Sequence, residues 1–519
     1  MLLSQLIDGS GCRLPASAPD PEITGVTADS REVGPGSVFV CIRGDRHDGH
    51  AFAARAIAAG AVAVIAERDL DVSDFSPEVP ILRVADGRVA LARCAANFFG
   101  SPDQSLELVG ITGTNGKTTV SYLLEAIADA AGIGCGVVGT VGIRFAGKEL
   151  PSSHTTPDAV ALTDALRRMV DDGCGAAVVE VSSHALQQER VAGLHFAAAA
   201  FTNLSRDHLD FHGDMEAYFA AKARLFRERL GSPAFAGAGA GAAPLAVING
   251  DDPWGVRLAD SLGGEDIRSW RFSLQDPACE LYADEVEADA AGLRATLRSP
   301  VGALSLRSPL VGAHNLQNLL CAAGIALGLG WPKEAVQRGL AATSGAPGRL
   351  ERIEGRGIVA FVDYAHTDDA LSRACAALNA VATGRLIVVF GCGGDRDRGK
   401  RPLMGEAAGR GAHLAIATSD NPRTEAPAAI LDDILPGLVA SGKERLSHEA
   451  ALAGEDGFTV EMDRRRAIEL AVAAAREGDL VLVAGKGHET WQILGDEKIH
   501  FDDREELRRL LLEPKDGPR

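Results

Sequence analysis

Short apolar runs recur along this chain, separated by longer amphipathic stretches. "AVAVIAE", "LELVGIT", "AAVVEVSS", "LAVING", "IVAFVDYA", "RLIVVFG", "HLAIAT" and "DLVLVAG" are rich in Val, Ile, Leu and Ala and show little polar alternation. Strands covered on both faces of a parallel sheet have this character. The intervening stretches, such as "VSYLLEAIADAAG" and "YFAAKARLFRERL", have helical length and spacing. The pattern predicts an α/β protein with βαβα alternation from end to end. Three blocks emerge. Residues 1–104 form a smaller α/β domain closed by the linker-like "FFGSPDQSL", residues 105–346 a central domain, and residues 347–519 a C-terminal domain. "GSPAFAGAGAGAAP" at 231–244 is Gly/Ala-rich low complexity and reads as a surface loop without chemistry.

Composition narrows the class. A chain of 519 residues exceeds one hydrophobic core, and 46% hydrophobic with 24% charged residues is ordinary for a globular protein. A net charge of −19 argues against nonspecific grip on nucleic acid or anionic lipid. Nine scattered cysteines without a CxxC pair predict reduced thiols and a cytoplasmic protein. "MLLSQLIDGSGC" lacks the basic start of a signal peptide, and no apolar run reaches the ~18 residues of a membrane span, so membrane insertion is not expected.

The candidate chemistry has a common address. "GTNGKTT", "EVSSH", "TNLSRDHLD", "DYAHT", "GCGGDRDRGKRP", "TSDNPR" and "GKGHE" each follow the end of an expected strand. Ligands of doubly wound sheets bind outside the carboxyl ends of the strands. "GITGTNGKTT" (110–119) joins a strand to a helix, so its backbone N–H groups and Lys117 suit phosphates, and the Thr118 hydroxyl suits Mg²⁺. It departs from GxxxxGK[ST] by one position, because residue 111 is Ile. Glu180 and His208 are candidate magnesium ligands at neighbouring strand ends, although alone each reads as a solvated or packing residue. Local pattern favours Lys222 as a lysine reaching for water from an apolar helix, against a desolvated, reactive amine. "HNLQN" and "GAPGRLE" read either as linkers or as Asn315 for a base and Arg349 for a phosphate.

"TGTNGKTT", "EVSSH", "NLSRDHLDFH", "GAHNLQN", "PGRLE", "DYAHT" and "DNPR", in this order, resemble the Mur ligase family across essentially the whole chain. "TADSR", "HTTPD", "GKGHE" and "DNPR" are similar to the branch that adds meso-diaminopimelate as the third residue of the peptidoglycan stem. The resemblance implies a P-loop ATPase-type central sheet, a Rossmann-like C-terminal domain and a monomer. It also implies ATP-dependent extension of UDP-N-acetylmuramoyl-L-alanyl-D-glutamate, with Mg²⁺ and a carbamylated Lys222. Gly113, Thr114, Asn115, Gly116, Lys117, Thr118 and Thr119 would hold ATP with Asn315, Arg349 and Asp363. Lys117, Glu180, His208 and Lys222 would be catalytic, the last three serving the metal with Thr118. Ser30, Asp45, Arg46, His47, His154, Thr155, Thr156, Ser182, Gln188 and Arg190 would face the UDP-substrate. Arg396, Asp420, Asn421, Pro422, Arg423, Gly485 and Glu489 would face the incoming amino acid. Three departures stand out: Asp368 replaces a proline of "DYAHTPD", His154 stands where some relatives have Asn, and the Gly/Ala insert at 231–244 has no counterpart in the family. The competing readings are an L-lysine-adding ligase, a folylpolyglutamate synthetase-like ligase and a noncatalytic nucleotide-binding module.

Overall fold

A computed structural model of the protein describes residues 1–44, 47–70, 79–152, 154–231, 243–263 and 266–512. Asp45, Arg46 and residues 232–242 of the Gly/Ala stretch lie outside the described residues. The chain divides into two compact units. One comprises Met1–Ala283, Leu297–Leu304 and Gln317–Gly339; the other comprises Asp284–Thr296, Ser305–Leu316 and Leu340–Arg519.

The first unit opens with four parallel strands in sequential order, β1 (Gly25–Thr27), β2 (Ser37–Val40), β3 (Ala61–Ala66) and β4 (Ile81–Arg83). Val38, Val40, Ala63 and Ile65 pack against Leu91 and Cys94 of the helix Gly87–Phe98. The Asp86 carboxylate caps that helix by accepting the amides of Arg88 and Val89.

A second sheet follows. Its strands are β5 (Glu107–Thr112), β6 (Cys135–Gly139), β7 (Gly142–Phe145), β8 (Lys148–Leu150), β9 (Ala176–Glu180), β10 (Ala198–Phe201), β11 (Leu245–Asn249) and β12 (Arg268–Ser273). They stand in the order β12-β11-β10-β5-β9-β6-β7-β8. β12 through β6 are parallel, and the register pairs Ile111 with Glu180 and Thr112 with Phe201. Three loaded segments therefore leave the sheet at one level. Leu106, Val138, Val179, Phe196, Phe201, Tyr218 and Phe226 share the core beneath.

The βαβα alternation does not run from end to end. β6, β7 and β8 form an antiparallel meander. The β7–β8 turn uses Ala146 and Gly147, both at positive φ (47° and 73°), as in a two-residue type I′ hairpin. β13 (Leu281–Asp289) starts parallel to β12, and β14 (Gly292–Arg298) and β15 (Leu304–Ser308) follow without an intervening helix.

The second unit is built on β16 (Glu351–Gly355), β17 (Ile358–Asp363), β18 (Leu386–Phe390), β19 (Leu414–Ala417), β20 (Gly457–Val460) and β21 (Leu480–Ala484). The order is β16-β17-β21-β18-β19-β20, parallel except for β16. Both faces are covered: Val388, Phe390 and Leu482 lie in one core, Ile387, Ile416 and Val483 in another. A hairpin of β22 (Trp491–Leu494) and β23 (Glu497–His500) follows β21. Asp368 is the first residue of the helix Asp368–Asn379, capped by the Thr367 hydroxyl. Proline and an acidic residue both suit that position, one by fixed φ and the other by the helix dipole, so the exchange is tolerated locally.

Candidate active site

The turn after β5 is shaped by its glycines. Gly113 (φ 144°) and Gly116 (φ 89°) have backbones that side chains rarely adopt, and the Thr202 and Asn318 side chains occupy the space of their β-carbons. Gly116 then caps the helix Lys117–Ala131. Gly110, the first glycine of the near-match to the phosphate-loop pattern, lies within β5, where a β-carbon would collide with Phe196 and crowd Leu225. The Lys117 ammonium donates to the carbonyls of Gly113 (2.8 Å) and Thr114 (3.0 Å). Asn318 is absent from the sequence-derived site, although it closes the quoted "HNLQN".

Glu180 ends β9 and is 1% exposed. Its Oε2 accepts the hydroxyls of Thr118 and Thr140, each at 3.0 Å, and its Oε1 accepts the Thr140 amide at 3.3 Å. The Thr140 and Thr155 hydroxyls are 3.1 Å apart. The Thr156 hydroxyl donates to the Glu180 carbonyl and accepts the Ser182 amide, and Ser182 caps the helix Ser183–Gln187. His208 sits at φ 53°, with its ring edge-on to His184 and 3.4 Å from Asp207. Among the described residues no group of three His, Cys, Asp or Glu forms a metal cage. The hydroxyl and carboxylate oxygens of Thr118 and Glu180 nevertheless suit magnesium, which takes few protein oxygens and completes its shell with phosphates and water.

Lys222 departs from its local pattern. It is 1% exposed on the helix Met215–Arg224, its amine 2.9 Å from the Gly113 carbonyl and 4.7 Å from the centre of the Tyr218 ring. Burial, reinforced by the Lys117 ammonium, holds its pKa well below the lysine range. An apolar helical setting hides such an amine from a sequence reader because the carbonyl it meets lies on a distant strand end.

Beside this region is a cavity of about 740 Å³ lined by Ser30, His47, Arg55, Arg88, Gln188 and Arg190. Ser30, His47, Gln188 and Arg190 were expected from the sequence; Arg55 and Arg88 were not. The Arg190 guanidinium, its pKa lowered by burial, grips the Gln188 side chain and the Thr156 carbonyl. His154 is exposed, its carbonyl accepting the Ser152 hydroxyl, and it does not line the cavity. Asp45 and Arg46 lie outside the described residues.

In the second unit, the carboxyl ends of β19 and β21 converge on residues 420–423. Asn421 donates to Glu489 (2.9 Å) and accepts the Ile493 amide (3.0 Å). Arg423 has φ 53°, exchanges backbone hydrogen bonds with Ile493 and Gly495, and anchors its Nη1 on the Gly394 carbonyl at 2.8 Å. The turn is thus pinned by the β22–β23 hairpin as well as by Pro422. A β-carbon on Gly393 would touch both Arg423 and Arg396, and one on Gly485 would touch Asp420. The expected amino-acid residues are therefore neighbours. Lys486 of "GKGHE" is fully buried among them, a position its sequence context does not reveal. Asp363, Arg349 and Asn315 also belong to this unit. Asp363 accepts the amides of Leu350 and Ala365, and burial raises its pKa against the pull of Arg349. Arg349 stacks over Tyr364, and Asn315, 3% exposed, donates to the Val311 carbonyl.

Comparison with known proteins gives a consistent answer. The Mur ligase catalytic, middle and glutamate ligase domain families match residues 22–99, 111–326 and 348–487. The UDP-N-acetylmuramoyl-L-alanyl-D-glutamate--2,6-diaminopimelate ligase of Geobacter sulfurreducens is 47% identical over 93% of this chain and 94% of its own. A solved structure of an enzyme with the same name superposes with TM-score 0.73 at 34% identity, covering 98% of each chain. Folylpolyglutamate synthase of Mycobacterium tuberculosis shares the fold over 77% of this chain at 21% identity and TM-score 0.56.

Proposed function

The chain belongs to the Mur ligase family, and from that premise we infer that it is an ATP-dependent, ADP-forming ligase joining meso-diaminopimelate to UDP-N-acetylmuramoyl-L-alanyl-D-glutamate in peptidoglycan precursor synthesis. The observation that carries the choice of amino acid is the turn 420–423, where an anchored guanidinium stands beside acidic groups at the strand ends. Diaminopimelate carries a carboxylate and an ammonium on its distal carbon, and a planar fork suits the carboxylate.

Amide formation requires an activated carboxylate. The D-glutamate γ-carboxylate attacks the ATP γ-phosphate, giving an acyl phosphate and ADP; the amine then attacks the acyl carbon and phosphate leaves. The protein's task is to position two anions and neutralise charge. The backbone of 113–119 cradles the phosphates and Lys117 draws charge from them. By family resemblance Asn315, Arg349 and Asp363 would contact the nucleotide. Thr118, Glu180 and His208 would hold magnesium, which supplies charge neutralisation on the transferring phosphoryl group. Burial lowers the Lys222 pKa and so favours the neutral amine, the form that adds CO₂; its carbamate would supply a carboxylate-like ligand. Ser30, His47, Gln188 and Arg190 would serve the UDP-substrate, supported by the cavity they line, and Thr155, Thr156 and Ser182 would join them, Thr156 being hydrogen-bonded to both Arg190 and Ser182. The family matches support three domains at 1–104, 105–346 and 347–519. No described helix is long and apolar enough to cross a membrane. A cytoplasmic monomer without nucleic-acid partners completes the reading.

The test is ADP release with the UDP-dipeptide and a panel of amino acids. Diaminopimelate should exceed L-lysine by at least ~100-fold in kcat/KM, the discrimination expected when a site built for a polar group meets a substrate lacking it. Preference for lysine would overturn the assignment and favour the lysine-adding alternative.

A further inference from the structure

The proposed amino-acid site contains an ammonium of its own. Lys486 is 0% exposed, and its Nζ lies 3.2 Å from Asn421 Oδ1 and 3.5 Å from both Asp420 Oδ1 and Glu489 Oε2. Asp420 and Asn421 are themselves 7% and 5% exposed. The neighbouring cation, Arg464, pairs directly with Asp503 through two hydrogen bonds of 2.8 and 2.7 Å, both side chains fully buried, and acts on Asp420 and Glu489 only at longer range. Among the described residues, Lys486 is the cation in ion-pair contact with Asp420.

We propose that Lys486 is a specificity-determining residue that sets the charge of this site in favour of a distal group bearing a carboxylate. The proposal rests on reading 420–423 as the amino-acid turn. Two carboxylates in a poorly hydrated pocket attract any ammonium and repel any carboxylate. The Lys486 ammonium compensates them from inside. A substrate offering only a cation then gains little, and a substrate carboxylate reaches Arg423 without crossing an uncompensated negative field. Asn421 is held by the same ammonium and by Glu489 and Ile493, so its side chain orients the site rather than awaiting a donor from the substrate.

The experiment compares the parent with Lys486→Met and with Lys486→Gln, which keeps a hydrogen-bond donor and loses the charge. Should the Met variant fail to fold, the Gln variant carries the test. ADP release is measured with meso-diaminopimelate, L-lysine and 2-aminopimelate, whose distal carbon carries the carboxylate without the ammonium. The expected losses in kcat/KM follow charge: ~100-fold for 2-aminopimelate and ~10-fold for diaminopimelate, with lysine unchanged or improved. The KM values for ATP and UDP-dipeptide stay within about twofold, since uniform loss would indicate a general defect. Equal losses for all three amino acids would show Lys486 to be a structural tie and overturn the proposal. A parent that releases no ADP with diaminopimelate would overturn the proposed function itself, a result separable from one in which only the ranking fails.

Discussion

Two lysines address one carbonyl: Lys117 and Lys222 both donate to Gly113, at 2.8 and 2.9 Å. Two ammonium groups so close repel, and the buried one loses its proton first. A lowered pKa favours the neutral amine, which would be a nucleophile for CO₂, and burial sets Lys222 apart from a lysine that lies along the surface. Lys222→Ala is therefore expected to lower kcat by at least ~100-fold, the scale of losing a charge-stabilising group. Acetate or propionate should restore part of the activity; an activity within a few-fold of the parent would refute the role. Arg423 makes the complementary case. Its guanidinium is fixed through the Gly394 carbonyl, so in the proposed reading a substrate carboxylate would meet a preorganised fork. Arg423→Ala should raise the diaminopimelate KM by ~30-fold or more, from ~2–5 kcal/mol of lost charge-assisted contact. The KM values for ATP and UDP-dipeptide should stay near the parent's, and Arg423→Lys should recover only part of the loss. Lys486 was not assigned from the sequence because its partners Asp420 and Asn421 are 66 and 65 positions away.

At the scale of elements, the phosphate loop depends on a helix cap that no side chain fits. Gly116 combines φ 89° with the Asn318 side chain in the space a β-carbon would need, whereas Gly132 ends the same helix at φ 73° with that space open. Gly116→Ala adds steric displacement of the loop to ~1–2 kcal/mol of left-handed backbone strain; Gly132→Ala adds the strain alone. Both variants should melt earlier, and only Gly116→Ala should raise the ATP KM, by ~10-fold or more. Equal ATP KM values for the two would detach the cap from nucleotide binding. The same local chemistry governs what could be read in advance. The parallel strands were legible because burial on both faces leaves uninterrupted Val, Ile, Leu and Ala. The hairpins β7–β8 and β16–β17 were not. Their turns, Ala146-Gly147 and Arg356-Gly357, place a residue other than Gly, Asn or Asp at the first positive-φ position, so the usual turn signature is missing.

Across the whole molecule, the clustering of chemistry at strand ends was legible because strand register alone fixes it: Ile111 pairs with Glu180, and Asp363 with Ala484. Protonation behaviour was not legible, since it depends on burial by distant segments. His212, His314 and His488 all have pKa values lowered to about 4, chiefly by burial, with His184 near His212, Arg373 near His314 and Arg349 near His488 adding repulsion. Each binds its proton in the unfolded chain near the ordinary value of 6.5 and in the folded chain only near 4. The unfolded state therefore takes up more protons as pH falls through that interval, and stability must fall with it. Asp29, hydrogen-bonded to Arg31, and Asp48, hydrogen-bonded to His50, are held at about 2, so their contribution is lost at lower pH, from about 4 downward. His500, raised by Glu505, acts in the opposite sense, but at an exposed surface its weight is small. The first thermal transition is expected to move down by ~5 °C or more between pH 7 and pH 5, before the carboxylates titrate. His314→Gln, which carries no titratable ring, should flatten that slope while leaving the acid limb below pH 4 in place. A midpoint that holds steady or rises from pH 7 to pH 5 would show that these histidines are not kept neutral by the fold.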